Sequence, residues 1–346
     1  MEISQLVFLF SVCSLSSVRR KKEYMEKKKL DKISVFAGIH TVMIRSGVQS
    51  RIDPEIADWI NVEKPKIDKQ GRWMYYYILN LNRYAGQDLW TQGEFMAALI
   101  SALQEMGLYS DWVFSRVDVR FDQLEDNFKE LRKMHLLLIA TMAKSLNMVN
   151  FWAAEQALSH KKLSVKAMHD RAELENYNKN LQRKDRDPDC PAGNRLEFRS
   201  HRVNAQIDVG DNMLEWISVA RKAVPKHYKT ILDESNGYLL ELWNEEHTAE
   251  DTEGNVKSLS EFCRKYHDTI FSRSQMEDFM RLIGKPNPHN AARAFCQKNS
   301  IEFVTLHDLN TYLDKLEASV RAYINGTQEG YQRVYFGKTT KAEKAA

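Results

Sequence analysis

The sequence has no CxxC pair, no histidine cluster, no glycine-rich phosphate loop and no apolar stretch long enough to cross a bilayer. Each absence removes a class of protein. The four cysteines, Cys13, Cys190, Cys263 and Cys296, are scattered along the chain without the spacing of a zinc site or a disulfide framework. A reducing cytoplasm is the expected compartment. Neither GxxxxGK[ST] nor GxGxxG occurs, nor a GxSxG elbow or an HExxH helix, so a small-molecule enzyme finds little support. No internal repeat or low-complexity tract stands out. The formal net charge of +3 on 346 residues permits an anionic partner without demanding one.

The N-terminal apolar run LVFLFSVCSL (6–15) falls short of the ~20 residues that span a membrane. A secretory signal places positive charge before its apolar core. Here Glu2 precedes the run and the cluster Arg19–Lys22 follows it. Residues 1–25 are therefore expected to be an apolar and basic extension outside the functional chain, which would begin near Met25. A weak N-terminal anchor is the alternative, and no membrane partner is expected.

The remaining length is enough for two domains. Stretches 33–48 and 71–86 are rich in β-branched and aromatic residues and read as strands. From 91 to 108 the period changes: Phe95, Ala98, Leu99, Ala102 and Leu103 fall at helical spacing, Thr91 can cap, and Gly107 can close the last turn. Residues 111–123 alternate, Val113, Val117, Val119 and Phe121 against Arg116, Asp118, Arg120 and Asp122. A second helix is expected over 127–147, and strands over 163–180 and 194–204. This order describes an α+β domain, a mostly antiparallel sheet with helices on one face, at 26–206. Beyond 207 the patterns are helical, broken near Pro225 and Gly237, and an exposed acidic linker is expected over 245–255. An all-helical domain is expected at 207–330 and a disordered tail at 331–346.

The polar sides of three strands look chosen. Asp118 and Asp122 lie about 13 Å apart along one strand, too far to share a metal directly. Either could meet a carboxylate from a neighbouring strand, and Mg²⁺ or Mn²⁺ suits such a sparse oxygen set. The bland reading is a solvated face of alternating charge. In RLEFR, Arg195, Glu197 and Arg199 share a face, where two guanidiniums can fork onto phosphate; structural ion pairing explains the pattern as well. In ENYNKN, Lys179 follows Tyr177 on the same face, where its charge can lower the phenol pKa. A strand tyrosine is far more often packing than catalysis.

RVDVRFD, then YNK, then RLEFR resembles, in motif and order, the trans-acting replication initiators of rolling-circle plasmids. The related initiation factors of filamentous phages are similar. The resemblance covers roughly 33–205. It implies a Mg²⁺- or Mn²⁺-dependent, site-specific DNA nickase and strand transferase, topoisomerase-like, working in a bacterial cytoplasm. A tyrosine would attack a phosphodiester of plasmid or phage origin DNA, leaving a 5′-phosphotyrosine link and a 3′-OH primer, and later rejoin the strand. By the same resemblance Tyr177 is the nucleophile and Lys179 its helper. Asp118, Asp122 and Glu197 are metal-ligand candidates, and Arg116, Arg195 and Arg199 hold phosphate. The chain lacks the His-hydrophobe-His pair of the other large class of rolling-circle nickases, so a carboxylate site must serve. Tyr75, Tyr76 and Tyr77 are rival nucleophiles. A homodimer is implied, with host helicase and polymerase as further partners.

The helical half suits target recognition. Two short helices joined by GKPNP form a candidate helix-turn-helix, with Asn290, Arg293 and Gln297 as DNA contacts. A plain helical bundle is the bland reading, and Glu277, Asp278 and Glu302 weaken a basic footprint. The rival for the whole chain is a non-catalytic DNA-binding regulator of a plasmid or phage. In that reading the α+β half serves for dimerisation.

Overall fold

The computed structural model describes residues 35–123, 128–142, 164–169, 172–178, 194–200, 209–248, 259–266, 270, 272–299 and 303–328. These belong to one unit, 35–346. The expected extension at 1–25 and tail at 331–346 lie outside the described residues.

Among the described residues, the strands are β1 (Val35–Ser46), β2 (Ile60–Ile67), β3 (Trp73–Leu79), β4 (Trp112–Gln123), β5 (Ser164–His169), β6 (Ala172–Asn178) and β7 (Asn194–Ser200). They form one sheet in the order β2-β3-β1-β4-β7-β6-β5, antiparallel throughout. The helices are α1 (Leu81–Ala85), α2 (Gln92–Met106), α3 (Phe128–Met142), α4 (Val209–Thr248), α5 (Leu259–Lys265), α6 (Arg273–Leu282), α7 (Pro288–Asn299) and α8 (Leu306–Asn325). The expected α+β class, with helices against an antiparallel sheet and a helical C-terminal region, is the observed one.

Several local readings need correcting. The expected strand 71–86 ends at Leu79, because Asn80 caps α1 and Gly86 closes it in the left-handed region. The expected strand 163–180 is two strands, β5 and β6, paired with each other. β2 was missed, since Pro65 and three charged residues break its alternation; it forms because it sits at the sheet edge, where a missing N–H costs little. α4 runs 40 residues straight through Pro225, although proline removes one helical hydrogen bond. Buried Trp216, Ala220, Val224 and Ile231 hold it on both sides of that proline. α4 also carries the first part of the expected acidic linker as helix, to Thr248.

One face of the sheet is apolar. Val35, Ala37, Ile39, Val42 and Ile44 of β1, Val117, Val119 and Phe121 of β4, and Leu196 and Phe198 of β7 are all buried. α3, α4 and α8 lie over it. Trp216 of α4 sets its ring 5.5 Å from Phe121 and 5.2 Å from Phe198, between centroids. A polar knot sits within this layer: His135 of α3 meets Asn176 of β6 at 2.6 Å and Tyr312 of α8 at 2.7 Å, and Gln123 of β4 joins Tyr312. β3 pairs with β1 only from Val42 onward. Before that point the carboxamide of Gln328 takes the place of a strand, accepting from Ala37 N at 3.1 Å and donating to Ala37 O at 2.9 Å. The last described strand ends at Ser200 and α4 begins at Val209, and α8 returns to lie against β1.

Truncating the ring that joins α4 to β4 and β7 tests this packing. Trp216→Ala is expected to cost about 3–5 kcal/mol of stability in urea unfolding. Trp216→Phe keeps the ring contact, and the indole nitrogen it removes has no hydrogen-bond partner among the described residues; less than about 1.5 kcal/mol is expected. Equal losses in the two variants would show that the contact is not what holds α4.

Candidate active site

The opposite face of the same strands is charged. Direct register pairs arrange β4, β7 and β6 as three rows of three. Asp122, Arg195 and Tyr177 form the first row; Arg120, Glu197 and Glu175 the second; Asp118, Arg199 and Glu173 the third. The sequence reading named Asp118, Asp122, Glu197, Arg195, Arg199 and Tyr177 as one site, and the register brings all six into this grid. Period-2 alternation accounts for it, because each strand turns its apolar partners the other way.

Arg195 is 1% exposed and grips Asp122 with both arms of its guanidinium, Nε to Oδ1 at 2.5 Å and Nη2 to Oδ2 at 2.7 Å. Its third nitrogen lies 3.4 Å from the Tyr177 hydroxyl and 3.5 Å from Glu197 Oε1. The Tyr177 hydroxyl donates to Glu197 Oε1 at 2.6 Å. Arg199 donates to Glu173 at 2.8 Å and Glu197 at 2.9 Å, and pairs with Glu175 at 2.7 Å. Arg116 pairs with Asp118 at 2.8 Å.

Three contributors escaped the sequence reading. Arg120 was noted only as part of an alternation; it donates to Asp88 at 2.9 Å and reaches Asp122 at 3.4 Å. Asp88 comes from the turn before α2, and Asn82 donates to it at 3.1 Å; no local pattern marks such a turn residue. Arg120 can lie flat on β1 because its neighbour there is Gly38, where a Cβ would come within 3.3 Å of Nε. His40 is the extra residue of a bulge between Ile39 and Thr41. A bulge is invisible to period-2 counting.

Burial and charge pull these groups in different directions. Burial lifts the Tyr177 phenol far above the ordinary tyrosine value; Arg195 counters this, and Glu197 adds to it. Burial also opposes ionisation of Glu197, yet His40, Arg195, the Tyr177 hydroxyl and Arg199 together hold its pKa at about 2. For Arg195 and Arg199, burial is outweighed by the carboxylates around them, and both stay more basic than usual. Asp118 goes the other way. Burial raises it to about 6 even though Arg116 and Arg199 lie beside it, and the charge of Glu197 adds to the rise.

The donor set is all oxygen, which in kind suits Mg²⁺ or Mn²⁺. In this arrangement Asp118, Asp122 and Glu197 are each turned onto a guanidinium rather than onto one another. Among the described residues no group of three His, Cys, Asp or Glu is placed to hold a metal. The residues as arranged do not fit the ion. Lys179, the expected helper, lies outside the described residues. Asn290, Arg293 and Gln297 are not part of this site. They lie three and four residues apart on α7, away from its buried Ala292, Phe295 and Cys296. On α6, Arg281 is tied to Asp278 at 2.6 Å, and His289 of α7 meets Glu277 at 2.9 Å. Those carboxylates shrink the basic footprint of the helix pair.

The grid makes a pH-dependent prediction. A carboxyl whose native pKa exceeds its unfolded value stabilises the fold when protonated, and that contribution is lost as pH rises through the native pKa. For Asp118 the window runs from 3.8 to about 6. Asp118→Asn removes the loss, so the variant should gain stability relative to wild type across pH 4–7, on the order of 3 kcal/mol. Glu197, held at about 2, has the opposite sign and loses its contribution only as pH falls below ~4.5. Thermal unfolding of both proteins across this range checks it; a constant gap would show that Asp118 is not raised. No protein-family model, curated protein or solved structure matches this chain.

Proposed function

We propose that the chain cleaves and rejoins DNA by tyrosine attack, as a rolling-circle replication initiator does. The observation that carries this reading is the Tyr177 hydroxyl donating 2.6 Å to Glu197, with the Arg195 guanidinium 3.4 Å away. A nucleophile, a proton acceptor and a phosphate-binding cation lie within one hydrogen-bonding distance of each other.

At rest the phenol is held neutral and the carboxylate charged, so no proton moves. A DNA phosphate competes with carboxylates for the same guanidiniums, and forked binding suits Arg195 and Arg199. Drawing them off Glu197 removes two of the charges that depress its pKa, and it becomes a better base. The phenol proton then passes to Glu197 while the tyrosine oxygen bonds to phosphorus. The 3′-oxygen leaves and takes a proton from water. The 5′-phosphate stays on Tyr177 until a 3′-OH reverses the step. Arg116, with a side chain 19% exposed, meets the strand at the edge of the grid. Asn290, Arg293 and Gln297 on α7 contact duplex origin DNA. Two copies would provide two tyrosines for cleavage and rejoining.

The depth of the grid favours a second reading. Tyr177 is 6% exposed, which suits a structural cross-tie in a non-catalytic DNA-binding regulator. The two readings separate on supercoiled plasmid carrying the gene's flanking DNA, incubated with Mg²⁺, Mn²⁺ or a chelator. Open-circular product and a denaturant-stable protein–DNA adduct are expected. Tyr177→Phe should reduce both to background while changing DNA affinity less than about threefold. Its stability cost should stay near 1 kcal/mol, that of one hydrogen bond. Tight DNA binding without nicking under any of the three conditions, abolished by Arg293→Ala, gives the case to the regulator. An adduct that survives Tyr177→Phe moves the nucleophile to another tyrosine.

A further inference from the structure

The face of the sheet that carries the grid does not stop at β4. It continues past Met43 of β1 and Ile78 of β3 to the edge strand β2, and its chemistry changes on the way. Direct pairs carry it outward: Arg116 of β4 opposite Met43 of β1, Met43 opposite Ile78 of β3, and Arg45 opposite Tyr76. Tyr76 in turn faces Glu63 of β2, and Lys66 faces Met74, two residues from Tyr76. The Lys66 ammonium lies 5.0 Å from the centre of the Tyr76 ring. A bulge of β4 between its pairs with Met43 and Ile44 turns Val113 to the side of Arg45; simple alternation had placed it with Val117.

In the grid every arginine is engaged by carboxylates. On the outer face Arg45 and Lys66 are exposed, and among the described residues neither has a carboxylate within ion-pair distance. Two acidic side chains border this stretch, Glu63 of β2 and Asp111, whose carboxylate packs against Gly47. Cations without carboxylate partners beside a stackable ring are what a single nucleic-acid strand uses: phosphates go to the cations and a base to the ring. Lys66 lies three inter-strand steps of about 4.8 Å from Arg116, and its partner Met74 is four residues along β3 from Ile78, so the surface leads away from the candidate nucleophile.

Resting on the proposed cleavage function, we infer that this outer face, Arg45, Tyr76 and Lys66, binds the single-stranded DNA that leads into the Tyr177 site. The base stacks on Tyr76 and the flanking phosphates meet Arg45 and Lys66. Duplex recognition stays with α7.

Fluorescence anisotropy with labelled oligodeoxythymidylate, and separately with a labelled duplex of flanking DNA, tests the assignment. Tyr76→Ala is expected to weaken single-strand binding roughly 5- to 150-fold, with Tyr76→Phe restoring it. Arg45→Ala and Lys66→Ala should each lower the slope of log affinity against log salt by about 0.7. Duplex affinity should hold in all of them. Arg45 and Lys66 are exposed, so thermal unfolding should be unchanged in their variants, and Tyr76→Phe is the control for the half-buried Tyr76. Single-strand binding that is absent in wild type, unaffected in the triple variant, or lost together with duplex binding overturns the assignment. The plasmid adduct assay, run in parallel, separates the two proposals. Tyr76-dependent strand binding without an adduct leaves this surface standing and removes the nickase. An adduct with strand binding indifferent to Tyr76 does the reverse.

Discussion

The grip of Arg195 on Asp122 is the interaction on which the rest of the charged face depends. It joins β4 to β7 with two short bonds in a dry setting. Arg120 and Asp88 lie on one side of it and Glu197 and Tyr177 on the other. Ions buried this deeply are stable only as a satisfied set, because removing one partner strands the next. Asp88, Arg120, Asp122, Arg195, Glu197 and Arg199 therefore act as one linear array of alternating sign. Among the described residues the like-charge neighbours in direct register, Glu175 and Glu197, are bridged by Arg199.

The proposed reaction requires that such an array respond to a competing ion. A phosphate brings the same charge as a carboxylate and the same fork geometry. It can replace Glu197 on the arginines without leaving a cation unmatched. The carboxylate so released is the one that accepts the tyrosine hydroxyl's hydrogen bond. Coupling of anion binding to proton affinity follows from electrostatics alone, whatever metal requirement is found.

Much of this was legible in the sequence, and the gaps have physical causes. Alternation fixes which side chains of one strand share a face, so Arg116, Asp118 and Asp122 fall together, as do Arg195, Glu197 and Arg199; it was the resemblance to rolling-circle initiators that joined these and Tyr177 into one site. Which of them are opposite one another depends on register, which loop lengths and bulges set. Hence the engagement of Asp122 by Arg195, rather than by a metal, was not readable. Nor was depth: a strand face of arginine and aspartate reads as solvated, yet Arg120 and Arg195 are among the largest fully buried side chains. Asp88 and His40 carry no pattern because a turn and a bulge deliver them. Pro225 misled for the opposite reason, since a proline's local cost was outweighed by tertiary packing along α4.

The bond between Gln328 and Ala37 spans 291 residues and has a consequence for the order of assembly. At a synthesis rate of about 5–20 residues per second, roughly 15–60 s separate the two ends of that contact. During this interval the backbone of Ala37 has β4 on one side and lacks both Gln328 bonds on the other. Such an edge is a template for pairing with another nascent chain. The long-range closure also raises contact order and so slows folding. The strand that begins the sheet is thus the last to be sealed.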